Sequence, residues 1–285
     1  MAFTLATWNI LATAYIRPAF YPKTPRQILD SVWRIPALVR HAQGLGADIL
    51  CLQEVEAEVF APLQAGLGGL GYTGTYARKG GNRPDGCATF FRSACFTAAT
   101  DTRIAYSDGE GFANSGHIAQ FLRLEHQGKR LAVINTHLKW DPPDTPRERQ
   151  WAYRQIRQVL DVLRQEAASS TGQIVCGDFN VLPPSDVVEA LRTAGFDYAH
   201  RECPGISTCN SNGEPKLIDY LFHSDSLRAK PLLPAPIDAG TPLPSADQPS
   251  DHLPLIARFD WVANRNRRRI DGRRFRGRRP PNAQE

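Results

Sequence analysis

Polar residues in this chain gather at the ends of short apolar runs rather than inside them. Eight runs carry the β-branched and aromatic enrichment of strands: residues 3–10 (FTLATWNI), 48–55 (DILCLQEV), 87–93 (CATFFRS), 119–126 (AQFLRLEH), 130–138 (RLAVINTHL), 173–180 (QIVCGDFN), 217–223 (LIDYLFH) and 253–261 (LPLIARFDW). Three stretches switch to helical spacing. Residues 25–45 place Ile28, Val32, Ile35, Leu38 and Val39 on one face, with Thr24 as N-cap before Pro25. Residues 145–166 repeat the pattern with Trp151, Ile156, Val159, Leu160 and Leu163. Residues 185–194 form a shorter helix, capped by Ser185 or Asp186 and stopped by Gly195. Strands with occasional helices predict an α/β sandwich, sheets in the middle and helices outside. Residues 1–261 read as one domain with no internal repeat. The loops at 77–86, 106–116, 201–216 and 234–249 are long and rich in Gly, Pro and Asn, the places where function concentrates.

The run QIVCGDFN shows the chemistry most plainly. Alternation at period 2 turns Asp178 and Asn180 to one side and Phe179 to the other. Two acceptor-bearing groups at a strand end suit a metal, a water or a phosphate, and an Asx turn accounts for them equally well. Other runs end the same way: Asn9 after the first, Glu54 in the second, Asn135 and His137 in VINTHL, and Asp251 with His252 before the last. Singly, each has an ordinary structural explanation. Asn9 ends a strand, Glu54 suits a helix N-terminus, His137 fits a hydrogen-bonded core position, and Ser250 with Asp251 makes a turn. Asp219, between Ile218 and Tyr220, resists this treatment because a buried carboxylate needs a partner.

Jointly the segments TWN, LQEVE, NTHL, GDFN, IDYLF and SDH, in that order from Thr7 to His252, resemble the endonuclease/exonuclease/phosphatase superfamily with its DNase I-like fold. NILA, DGCATFFR, NTHLKWDP and GDFNVLPPS are similar to the deadenylase branch that includes nocturnin and the carbon-catabolite-repressor-type nucleases. The resemblance implies a four-layer sandwich: two mixed sheets packed face to face, flanked by helices, with the site at one rim. It implies magnesium, with manganese as a substitute, held by Glu54 with Asn9 and Asp251 nearby; magnesium is hard and prefers such oxygen donors. It implies that Asp178, with Asn180, orients or deprotonates the attacking water, that Asp219 fixes the tautomer of His252, and that His252 and His137 stabilise phosphoryl charge. Substrate contacts are expected from Lys139, which shares a face with His137, from Pro142, from Asn135, and from Asp85, read equally as a brace.

The implied reaction is hydrolysis of a phosphodiester, with a 3′-to-5′ exoribonuclease as the leading expectation. A phosphomonoesterase acting on a nucleotide, a dinucleotide such as NADPH, or an inositol phosphate is the alternative, ahead of a DNA nuclease or a nucleic-acid-binding pseudoenzyme. In poly(A)-specific relatives a proline and an aromatic clamp adenine; Pro142 matches, whereas SNGEPKLIDY offers Glu214, Pro215 and Lys216 in place of the aromatic. Charge enters here. The overall +5 comes from residues 262–285, an Arg-rich tail expected to be disordered, in which nine arginines face one Asp and one Glu. The first 261 residues hold 25 basic and 27 acidic side chains, near neutrality. The tail suits single-stranded RNA, and the neutral body suits a smaller phosphate ester. Six cysteines include no C-x-x-C pair, so neither a disulfide framework nor a zinc site is read from them. The uncharged run 59–77 contains Pro62 and five glycines and is no membrane helix. No signal peptide and no leucine-rich repeat are visible. A cytoplasmic protein without a membrane or an obligate protein partner is expected, nuclear if the tail acts as an import signal.

Overall fold

Strands whose two faces are both apolar must be covered on both sides, and this requirement organises the molecule. The computed structural model describes residues 2–109, 114–211 and 213–262. The first half of the chain runs β1 (Phe3–Asn9), α1 (Ser31–Leu45), β2 (Ile49–Glu56), α2 (Ala57–Gly68), β3 (Tyr72–Arg78), β4 (Asp85–Arg92), β5 (Thr97–Ala105), β6 (Ile118–His126) and β7 (Lys129–His137). The second runs α3 (Trp151–Glu166), β8 (Gly172–Asp178), α4 (Asp186–Thr193), β9 (Asp197–Tyr198), β10 (Cys209–Ser211), β11 (Glu214–Lys216), β12 (Asp219–His223), β13 (Leu227–Leu232) and β14 (Leu255–Trp261).

Two mixed six-stranded sheets result, ordered β13-β14-β1-β2-β4-β3 and β5-β6-β7-β8-β12-β9, with β10 and β11 as a separate hairpin. Leu5, Cys51, Leu122, Val133, Cys176 and Leu255 fill the space between the sheets. On the outer face of the first sheet, Trp8, Leu50 and Phe90 meet Leu38 of α1 and Leu63 of α2. On the outer face of the second, Ile134, Val175 and Phe222 meet Ile156 and Val159 of α3 and Val187 of α4. The four layers are those expected. β8 shows the alternation clearly, with Ile174 and Cys176 turned inward and Val175 toward the helices.

Several boundaries differ from the sequence reading. α1 starts at Ser31 and not near Thr24, because the Asp30 carboxylate accepts the Val32 N–H at 2.8 Å, a cap worth about 1 kcal/mol. The Thr24 hydroxyl donates instead to the Pro244 carbonyl, and Val32 faces solvent. α3 starts at Trp151, because both Asp141 oxygens accept its first backbone N–H groups, those of Trp151 and Ala152, at 2.9 Å. α2, β3, β5 and β13 were not anticipated, and the loop expected at 201–216 contains the β10–β11 hairpin. The Arg-rich tail lies outside the described residues. Among the described residues, no helix is long and apolar enough to cross a membrane.

Candidate active site

Each sheet has one central parallel pair, β1–β2 in the first and β7–β8 in the second. Carboxyl ends of parallel strands leave a crevice at the sheet rim, the usual place for a ligand. Here the register fills it with polar groups. His137 of β7 is level with Asp178 of β8, and Asp178 is level with Asp219 of β12. Gly177 makes this row possible: a Cβ there would lie 1.7 Å from the Thr136 carbonyl oxygen, so only glycine lets β8 approach β7 just before Asp178. From the other sheet comes Glu54, at an irregularity where the β2–β4 register shifts between Gln53 and Val55. Glu54, Leu11 and Asn180 all have left-handed backbones, with φ of 57°, 57° and 53°. Such strain costs about 1–3 kcal/mol per residue and survives only where the surrounding fold dictates it.

The side chains form one connected group. The Asn9 amide donates to Glu54 Oε1 at 3.0 Å and to Asp178 Oδ2 at 2.9 Å. Its oxygen accepts the Leu11 N–H at 2.9 Å, so Asn9 aligns the two carboxylates rather than presenting an oxygen of its own. Glu54 Oε2 accepts the Ala12 N–H at 2.8 Å. The Asn180 N–H donates to Asp178 Oδ1 at 2.9 Å. His137 Nε2 and His252 Nε2 stand 3.7 and 3.8 Å from Asp178 Oδ2, and His252 Nδ1 is 2.9 Å from Asp219 Oδ2. The Asn180 amide lies 3.0 Å from His137 Nε2. Residues from positions 9 to 252 thus meet around Asp178.

Burial sets the electrostatics. It pushes the Asp178 carboxyl up; His252 pulls back, Asp219 pushes further, and the pKa settles at about 7. Burial likewise raises Glu54, against the pull of Lys79. His137 lies well below its ordinary value, through burial first and then the neighbouring Lys79, and stays neutral. For His252, burial opposes the imidazolium, but the Cys209 thiol and the Asp219 carboxylate outweigh it and hold the pKa well above the usual range.

Two buried carboxylates with raised pKa values, linked through one amide, form an oxygen donor set that suits a hard divalent cation. Glu54, His137 and Asp178 each place a ligand atom within 4.8 Å of the other two. Asp251 belongs to a different group, although its charge reaches Glu54. The raised pKa of Asp178 has a direct consequence. Its ionisation weakens the metal-free fold as pH rises through about 7, and a cation relieves this only once the proton has gone. The magnesium-induced rise in melting temperature should therefore be small at about pH 5.5 and large at about pH 8. A pH-independent rise in scanning calorimetry would contradict the assignment.

Three of the four residues expected at the substrate have partners within the fold, and the fourth, Pro142, is exposed. Asn135 is wholly buried; its amide donates to the Leu52 and Ala88 carbonyls and to Thr89, and its oxygen accepts from Gln53, so it pins β7 across the sheets. Asp85 is a brace: Lys79 Nζ lies 2.7 Å and the Tyr15 hydroxyl 2.6 Å from its oxygens. Lys139 lays its ammonium 4.0 Å over the Trp151 ring. Pro142 and Trp140 stand exposed on the loop that Asp141 ties to α3. Sequence reading missed Lys79, whose Nζ is 3.2 Å from His137 Nδ1, and Tyr21, whose hydroxyl donates to Asp251 Oδ2 at 3.0 Å. It also missed Arg34, which is buried and donates to the Ile10, Leu11 and Pro249 carbonyls, tying together the loops that carry Asn9 and Asp251. Arg34, Leu38 and Ala42 share one helical face, so an arginine in a core phase was the available signal.

A sandwich with carboxylates, amides and imidazoles gathered at its rim defines a hydrolase of phosphate esters. The chain belongs to the Endonuclease/Exonuclease/phosphatase family, whose profile matches residues 6–252. It is 27% identical to Carbon catabolite repressor protein 4 homolog 4 of Arabidopsis thaliana, over 90% of this chain and 77% of that protein. It spans only 39% of the Saccharomyces cerevisiae CCR4-Not 3′-5′-exoribonuclease subunit Ccr4, at 27% identity over 91% of this chain. The human nocturnin catalytic domain superposes with a TM-score of 0.69 and 28% identity, covering 92% of this chain and 94% of that one. ANGEL2, described as a 2′,3′-cyclic phosphatase, superposes at 0.77 with 22% identity, covering 91% and 95%, and shares the fold.

Proposed function

We propose that the protein is a magnesium-dependent phosphodiesterase that shortens single-stranded RNA from its 3′ end. The observation that carries this reading is the row His137–Asp178–Asp219, in register across three strands and faced by Glu54 from the opposite sheet. Asp178 takes the proton of the attacking water, and the Asn180 N–H and the Asn9 amide fix its carboxylate. Asp219 accepts the His252 Nδ1–H, which leaves Nε2 directed toward Asp178 and free to meet a phosphoryl group bound there. His137, held neutral, offers a second polar contact without adding charge. Glu54 and Asp178 would hold magnesium, which when bound neutralises charge developing on the phosphate. The relatives named as exoribonucleases favour RNA. Six unpaired cysteines suit a reducing, cytoplasmic setting.

A second reading rests on one observation. Glu214, Pro215 and Lys216 of β11 occupy the stretch before Asp219 in which the resemblance to poly(A)-specific nucleases implies a stacking aromatic, and aromatic–base stacking contributes about 1–3 kcal/mol. That favours a small phosphate ester, such as a terminal cyclic phosphate of the kind named for ANGEL2, or NADPH. The test sets purified protein against labelled oligo(A), mixed-sequence RNA, RNA ending in a 2′,3′-cyclic phosphate, single-stranded DNA, duplex DNA and NADPH, with magnesium or EDTA. A magnesium-dependent ladder of shortened RNA is expected. Opening of the cyclic end, or phosphate release from NADPH, without a ladder would install the second reading. Binding without turnover on every substrate would remove both.

A further inference from the structure

Beside the Glu54–Asp178 group lies a cluster of different chemistry. Cys209 opens β10 and sits opposite His252 in an antiparallel bridge, and the Asn210 N–H donates to the Asp251 carbonyl at 3.0 Å. Directly opposed residues project to the same face with Cβ atoms about 4.5–5.5 Å apart. One ligand atom each from Cys209, Asp251 and His252 lies within 4.8 Å of the other two, and all three residues are buried. Asp251 gives Oδ2 to the Tyr21 hydroxyl, and its Oδ1 is buried with no hydrogen-bond partner. A buried acceptor left in that state is rare in folded proteins and invites a donor or a cation.

A thiol, a carboxylate and an imidazole are a zinc donor set; magnesium takes oxygens and has no use for sulfur. The spacing of the cysteines predicted no zinc site, because Cys209 lies far in sequence from Asp251 and His252 and the β10–His252 bridge brings it to them. We infer that Cys209, Asp251 and His252 form a zinc site that switches the enzyme off. Tetrahedral coordination places ligand atoms about 3.5 Å apart. The ligand atoms already lie within 4.8 Å of one another, so closure asks for a movement of about 1 Å per pair. On binding, the Cys209 thiol releases its proton to solvent and a sulfur–zinc bond replaces the S–H bond, with no change of oxidation state. Ligation through either His252 nitrogen disables the ring: Nδ1 would leave Asp219, and Nε2 would leave the phosphoryl group. The inhibition rests on the hydrolytic reading above, whereas zinc binding stands without it.

The test uses the full chain. Cobalt replaces zinc as a spectroscopic probe, and titration of the metal-free protein should produce a near-ultraviolet thiolate-to-cobalt band that zinc abolishes and Cys209→Ser lacks. In parallel, zinc should inhibit magnesium-supported hydrolysis. Cys209→Ser, measured against its own uninhibited rate, should need at least about tenfold more zinc, since losing a ligand costs no less than losing an outer partner. Asp251→Asn should shift zinc affinity by a similar factor and gives the answer if the cysteine variant fails to fold. An identical cobalt spectrum in wild type and both variants, or unchanged zinc affinity, would overturn the site. A cobalt band without any hydrolysis would leave the zinc site standing and sink the hydrolytic reading.

Discussion

Replacing Asp178 by asparagine should lower the turnover of phosphate-ester hydrolysis by about 10³–10⁴-fold, the upper part of what one general base supplies. The substitution keeps the shape and, at Oδ1, the acceptor for the Asn180 N–H. It removes the only group in the row that can accept a proton from water between two imidazoles 3.7 and 3.8 Å away. Burial and Lys79 depress the basicity of His137, and the raised pKa of His252 leaves it already protonated, so neither takes over as an effective base at neutral pH. Because Asp178 would also hold magnesium, the variant should need more of it; at saturating magnesium the remaining effect should fall on kcat, with substrate KM nearly unchanged, because proton transfer to Asp178 develops only in the transition state. Steady-state kinetics on the best substrate of the panel decides the matter. A reduction below tenfold would show that proton abstraction lies elsewhere.

Glu54→Gln should be comparably damaging by a different route. Glutamine retains an acceptor for Ala12 or Asn9 but carries no charge. Magnesium binding, read by calorimetric titration, should weaken beyond measurement, and activity should drop at least about 10³-fold and not return in excess magnesium. Stability should move the other way. Burial raises the Glu54 pKa, so its ionised form costs the metal-free fold free energy at neutral pH, and the neutral amide removes that cost. A variant that melts higher in EDTA yet cannot be stabilised by magnesium is the expected signature. Retained magnesium binding would transfer the metal to other ligands.

The eight central runs were legible because strands covered on both faces are mostly apolar, and an unpartnered polar residue is then best placed at the rim; Asn135 and Gln53 are buried exceptions that satisfy each other. That pattern placed Asn9, Glu54, His137, Asp178, Asn180 and His252 at run ends and left Asp219 needing a partner, but only the resemblance of the six motifs, taken in order, joined them into one site. It fails where an element depends on its neighbours. β5 is almost wholly exposed, with no alternation to see, and exists because β6 offers it an edge. β13 carries Pro231 and, among the described residues, pairs with β14 alone. α2 buries Val59, Leu63 and Leu67 at four-residue spacing, a helical signal obscured by Pro62, Gly66 and Gly68. Proximity in sequence misleads at Asn135 and Lys139, which flank His137 on either side but turn to the core and to Trp151. Lys79 escapes because a lone basic residue carries no motif, and Arg34 because its helical phase, the one signal it gives, does not name its carbonyl partners.

The shared level of His137, Asp178 and Asp219 ties reactivity to the correctness of assembly. Because side chains alternate sides at every residue, sliding β8 by a single position would carry Asp178 into the apolar interior and bring Phe179 out to the rim. No partly active intermediate arrangement is available between these two. A preparation damaged during refolding should therefore be a mixture of fully working and wholly inert molecules, and its specific activity a head-count of the former.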